Sequence, residues 1–182
     1  MCCPASCAGY PNCSNEGKLV ESIIGGKPLS WWGCRVTPQV AHVVMKFILP
    51  RRCGSMTMGS GVYLGTTPDT LRCPGLSYWS ADRLSIDFDS VGYPSVVPNL
   101  CVDIQSTDNT PPRLRTKVKD YCAAGVSLVW IVDPESRNVI VHREPNRGQI
   151  LWGDSILSGE DVIPGFECKV SEFFRTLPTV TE

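Results

Sequence analysis

Histidine is almost missing from this chain. Only His42 and His142 occur in 182 residues, and no two cysteines stand in a CxxC pair. A zinc centre therefore has little to draw on, and no Ser–His–Asp order or nucleophile elbow supports nucleophilic catalysis. No glycine-rich phosphate loop precedes a helix, and no internal repeat or low-complexity linker is visible. Apolar runs stay well short of the roughly 20 residues that span a bilayer. The N-terminus lacks the basic start and apolar core of a signal peptide, so no membrane association and a cytoplasmic location are expected. The net charge is −1, which gives no global attraction to nucleic acid. Any such contact must come from a local patch, either Arg51-Arg52 or the run Arg113, Arg115, Lys117 and Lys119.

Cysteine, by contrast, is abundant, with ten in the chain. Cys2, Cys3, Cys7 and Cys13 cluster in residues 1–15, a Pro/Ser/Asn-rich stretch with no apolar period that reads as a disordered leader. The other six are scattered singly, which fits a reducing compartment better than a disulfide framework. Cys101 and Cys122 sit among apolar neighbours and read as small core residues. Residues 16–182 suit one domain with a sizeable core.

Periodicity outlines a mixed α/β order. Residues 18–24 alternate as a strand that turns at Gly25-Gly26. Thr37-Pro38 has the form of a helix N-cap with proline at the first helical position. Val40, Val43, Val44, Phe47 and Ile48 then share a face until Pro50. Strands are expected over 61–65 and 71–78, with a turn at 67–70 between them, and a short helical turn over 80–83. Residues 96–104 form a strand apolar enough to be buried on both faces. Pro111-Pro112 opens a helix with an apolar face of Leu114, Val118, Tyr121 and Cys122, which Gly125 closes. A buried strand at 128–132, a turn at 133–136, a return strand at 139–142, an edge segment at 150–152 and a short helix at 170–174 complete the order.

The chemistry concentrates in the strand Pro98-Asn99-Leu100-Cys101-Val102-Asp103-Ile104-Gln105-Ser106 and the helix after it. Metal-dependent phosphodiester cleavage needs carboxylates to hold the ion and a cation to position water or phosphate. Asp103 and Gln105, two apart, fall on one strand face, the carbonyl of Ile104 is a further oxygen donor, and Lys117 lies early in the following helix. The plainer alternatives are a turn-initiating Asp103 with local hydrogen bonds and a solvated basic helix face. Trp31-Trp32 suits either a stacking platform for bases or, more often for indoles, core burial. His42 reads as a packing histidine within the first helix, and His142 as an exposed residue at a strand end.

These passages, together with Gly17-Lys18-Leu19-Val20-Glu21, the segment Pro68 to Pro74, Trp130-Ile131-Val132-Asp133-Pro134 and Ser158 to Phe166, resemble the Uma-two family. The resemblance covers residues from about 17 to 174. It implies a restriction-endonuclease-like fold of the PD…(D/E)xK class, with a central mixed sheet flanked by helices. It also implies a DNA endonuclease activity dependent on Mg2+ or Mn2+, with homodimers in enzymes that cut both strands. By the same resemblance, a catalytic Asp is expected directly after Pro74, an acidic residue at 103 and a lysine at 117. The chain departs from that pattern at Gly75, where the first carboxylate is missing, and at Asp103, where the family more often has Glu. The acidic residue expected shortly before Gly17 is also absent, since Cys13 and Ser14 stand there. Asp69 offers a compensating carboxylate. Two readings result: an impaired endonuclease with Asp103 as metal ligand and Gln105 and Lys117 assisting, with Arg113, Arg115 and Lys119 against DNA, or a catalytically inactive homologue that binds nucleic acid or protein.

Overall fold

In the computed structural model, which describes residues 30–66, 69–88, 94, 96–106 and 110–178, two central strands run side by side in the same direction. β5 (Leu100–Ile104) pairs in parallel with β6 (Leu128–Asp133), and α2 (Pro111–Ala123) is the crossover between them. A parallel pair cannot be closed by a tight turn, so a helix-length connection is obligatory. Every residue of both strands is buried, as the apolar runs predict.

The sheet grows outward by antiparallel neighbours. β1 (Gly54–Met58) and β4 (Leu76–Ser80) extend one side, β7 (Asn138–Glu144) and β8 (Arg147–Trp152) the other, giving the order β1-β4-β5-β6-β7-β8. β2 (Val62–Thr66) and β3 (Asp69–Arg72) form a separate hairpin, and β9 (Ile156–Ser158) pairs with β10 (Glu167–Lys169). One face of the sheet receives α1 (Trp31–Arg51) and a 3-10 turn (Val170–Phe174), and the other receives α2. Strand alternation sorts the core: Leu100, Val102 and Ile104 pack with Val36, Val40, Val44 and Ile48 of α1, while Cys101 packs with Leu114, Val118 and Tyr121 of α2. Asp103 shares the parity of Cys101, so the pleat sends its carboxylate toward α2.

Several expectations need correction. α1 begins six residues before Thr37: Ser30 is its N-cap, its hydroxyl accepting from the Gly33 amide at 3.2 Å. Thr37 is inside the helix, where its hydroxyl donates to the Gly33 carbonyl at 2.8 Å. Pro50 does not stop the helix either; Arg51 is still helical, and Arg52 ends it with φ of 48°. The strand expected over 71–78 is two strands, because Pro74 lacks an amide hydrogen and cannot continue a ladder; β3 pairs within its hairpin and β4 within the main sheet. Asp69 and Thr70 lie in β3 rather than in a turn. The strand expected from 96 begins only at Leu100. β1, β9 and β10 carry no strong strand signal; β1 exists through five antiparallel pairs with β4. His42 is exposed and mid-helix, while His142 is half-buried in β7. Cys101 is buried as expected and Cys122 only partly. The leader of residues 1–15 and the strand at 18–24 lie outside the described residues.

Candidate active site

Three side chains meet between β5 and α2. Asp103, 2% exposed, accepts a hydrogen bond from the Lys117 ammonium on one carboxylate oxygen and from the Tyr121 hydroxyl on the other, both at 2.9 Å. Lys117 and Tyr121 are four residues apart, hence on one helix face, directly above the parity face of Asp103. Gly125 fixes where that face ends: with φ of 92° it sits just past the helix, the Val126 amide donates to the Tyr121 carbonyl and the Gly125 amide to that of Cys122. This pair of bonds is a Schellman closure, which favours glycine at the left-handed position.

Burial governs the electrostatics. The fully buried Tyr121 phenol is pushed well above its usual range, first by desolvation and next by the negative charge of Asp103. The Cys73 thiol, which donates to the Gly59 carbonyl at 3.2 Å, is also raised, by desolvation first, then by Asp103, with Lys117 opposing. Cys73 has solvent access yet feels both charges of the pair. Arg72 of β3 donates through Nε to Asp120 at 2.9 Å and so ties the β2–β3 hairpin to α2 beside Tyr121.

Sequence reasoning paired Asp103 with Gln105, and the structure separates them. Gln105 lies past the end of β5, and its amide nitrogen donates to Asp133 at 3.1 Å. Asp133 in turn caps the following turn by accepting from the Glu135 and Ser136 amides. Arg113, Arg115 and Lys119 are exposed on the outer side of α2. Asp69 opens β3 opposite Thr66, in the hairpin rather than the main sheet. Asp87 is exposed in a local turn, its amide bonded to Ser85. Tyr121 is the residue that apolar patterning hides: its ring fills a core position while its hydroxyl reaches Asp103.

Gly75 stands one residue before Leu76, which pairs with Val102. A Cβ at this position would lie 3.2 Å from the Val102 carbonyl oxygen and 3.6 Å from Ile104 Cγ1, on the residues that flank Asp103. The position where the resemblance expects the first carboxylate thus approaches β5 at the residues on either side of Asp103, and glycine supplies none. Among the described residues no group of three His, Cys, Asp or Glu side chains could hold a metal ion. Among the described residues the donor set as placed does not fit a divalent cation: one carboxylate is present, and its two oxygens already carry a lysine and a tyrosine.

A buried carboxylate on a central strand, a lysine on the crossover helix and a mixed sheet with helices on both faces define a nuclease-like fold. Residues 35–171, three quarters of the chain, match the Uma2 family, described as "Putative restriction endonuclease", and the chain belongs to this family. The solved structure of a "putative nuclease belonging to DUF820" from Anabaena variabilis superposes with a TM-score of 0.68 at 16% identity, over 82% of this chain and 83% of that one. At that identity the likeness concerns the fold. No curated protein matches the chain. Among the described residues no helix is long and apolar enough to cross a membrane.

Proposed function

We propose that this chain is a DNA-directed member of its family in which the phosphodiester-hydrolysing centre is impaired. The observation that carries the reading is the Asp103–Lys117 pair, 2.9 Å apart, on a strand that Gly75 approaches at Val102 and Ile104. Asp103 is the retained acidic group and Lys117 the cation suited to a phosphate or an attacking water. The exposed Arg113, Arg115 and Lys119 on the same helix supply a local positive surface, which the net charge of −1 does not. Gln105, held by Asp133, is assigned no part in the chemistry of the Asp103–Lys117 pair.

The test is metal-dependent nicking of supercoiled plasmid by the wild type, Gly75→Asp and Asp103→Ala, with Mn2+ or Mg2+ binding followed by calorimetry. Gly75→Asp is expected to raise Mn2+-dependent cleavage above a near-background wild type, and Asp103→Ala to remove whatever activity exists. A wild type that cuts as fast as Gly75→Asp would show that position 75 does not limit the chemistry.

The second reading is a catalytically inactive binding module. It is favoured by the saturation of both Asp103 oxygens by Lys117 and Tyr121. Here Asp103 is a structural hub, Gly75→Asp restores nothing, and DNA is bound without being cut.

A further inference from the structure

The C-terminal ends of β5 and β6 open into a cleft of about 570 Å³ whose lining includes neither Asp103 nor Lys117. Trp31 and Trp32, from the first turn of α1, stand at it with 74% and 43% exposure. Gln105, Asp133, Pro134 and Glu135 also line it. Large indoles are seldom left this open without a partner, and the sequence alternative of core burial does not hold for Trp31.

The polar side of the cleft is preorganised. Asp133 is 7% exposed and locked by two turn amides on one oxygen, so its other oxygen is aimed at Gln105. A carboxylate only accepts, which requires the nitrogen of Gln105 to face Asp133. The Gln105 carbonyl oxygen and remaining N–H then form a fixed acceptor–donor edge. Among the described residues no lysine or arginine lines the cleft, and Asp133 and Glu135 disfavour a phosphate inside it. A flat, uncharged heterocycle with N–H donors satisfies indole faces, an amide edge and carboxylate oxygens together. Arg113 and Arg115 are exposed in the first turns of α2, beside the cleft, where they can take phosphates outside it.

We propose that this cleft holds one unpaired nucleobase of a single-stranded or locally opened DNA strand, stacked on Trp31 and Trp32 and read by Gln105. Adenine matches the amide edge best, through its amino donor and adjacent ring-nitrogen acceptor. Bases within a duplex are stacked and cannot reach such a site, so the strand must be open there. The inference rests on the DNA-directed reading above and narrows its substrate to unpaired bases.

The test measures fluorescence anisotropy of the full chain with four DNA probes at one fixed salt: oligo-dA and oligo-dT of about ten nucleotides, an abasic strand of equal length, and a short duplex. Oligo-dA is expected to bind at least roughly tenfold more tightly than the abasic strand and to quench tryptophan emission. Trp31→Ala, at an exposed position that leaves folding intact, is expected to weaken oligo-dA binding by roughly 5- to 150-fold with little effect on the abasic strand. Gln105→Ala should erase the preference for oligo-dA over oligo-dT. Equal binding of abasic and oligo-dA strands, or unchanged affinity in the Trp31→Ala, Trp32→Ala double variant, would overturn the proposal. Quenching by a methyl glycoside but not by oligo-dA would overturn it as well. Duplex cleavage by Gly75→Asp combined with base-independent binding sinks the cleft and spares the DNA-directed reading. Base-dependent binding without any cleavage does the reverse for the hydrolytic part, and binding to no DNA at all removes both.

Discussion

Tyr121→Phe isolates the hydroxyl that holds Asp103. Phenylalanine keeps the ring that packs with Leu114 and Val118, so the change removes one hydrogen bond and no appreciable core volume. The lost bond spans 2.9 Å to a carboxylate oxygen of a residue 2% exposed, where water cannot step in freely. Hydrogen bonds to charged groups contribute about 1.5–3 kcal/mol, and an unsatisfied buried oxygen places the cost in that range. For a chain of 182 residues this lowers Tm by roughly 3–12 °C. Urea unfolding should show a lower midpoint with an unchanged slope, the mark of altered stability rather than altered compactness. In an Asp103→Asn background the cost should shrink, because the acceptor no longer carries charge, and the double-mutant cycle reads that coupling directly. A linked effect appears at high pH. The folded-state phenol is raised above its usual value of 10.0, so its contribution is intact below that pH and is lost as pH climbs further. The wild type should therefore lose stability above pH 10.0 more steeply than Tyr121→Phe. If the phenylalanine variant unfolds within about 0.5 kcal/mol of the wild type, the Tyr121–Asp103 bond is not what holds the carboxylate.

Other consequences are as direct. Gly125→Ala forces a Cβ into φ of 92° and should cost about 1–2 kcal/mol in urea unfolding, although open space surrounds the position. His142 is lowered from 6.5 chiefly by burial, with backbone hydrogen bonds opposing, so the folded state prefers the neutral ring. Stability should be intact above pH 6.5 and fall as acid protonates the unfolded chain preferentially; His142→Gln should flatten that limb of the pH–stability curve. Cys168 is 7% exposed and its thiol is pushed up to about 12, mainly by burial. Residue-resolved alkylation should modify Cys34 well before Cys168, and comparable rates in the native protein would contradict the packing of that region.

Periodic apolar runs and turn chemistry were enough to locate much of the scaffold. The two fully apolar strands, β5 and β6, and the Pro-Pro start and glycine end of α2 are local signals that tertiary packing reinforces. The start of α1 was obscured because Trp31-Trp32-Gly33 is weak helix sequence, while Thr37-Pro38 imitates a cap. Ser30 and the burial of Val36 and Val40 override those preferences. β1 has no pattern of its own, since an edge strand borrows its stability from the neighbour it pairs with. The break at Pro74 decides that β3 and β4 belong to different sheets, a consequence of one missing amide hydrogen.

For the site, the chain's own order of residues determined that a carboxylate strand, a lysine-bearing helix and a second apolar strand follow one another, and that position 75 carries no carboxylate. Only the tertiary structure decided which groups touch. Strand parity turned Asp103 toward α2, helical spacing brought Lys117 and Tyr121 to its two oxygens, and the parallel register carried Gln105 across to Asp133 instead. A linear pattern records spacing along one element, whereas hydrogen-bond partners depend on how two elements face each other across the core. That is why the sequence could place Asp103 in the site and could not say that both of its oxygens are already taken.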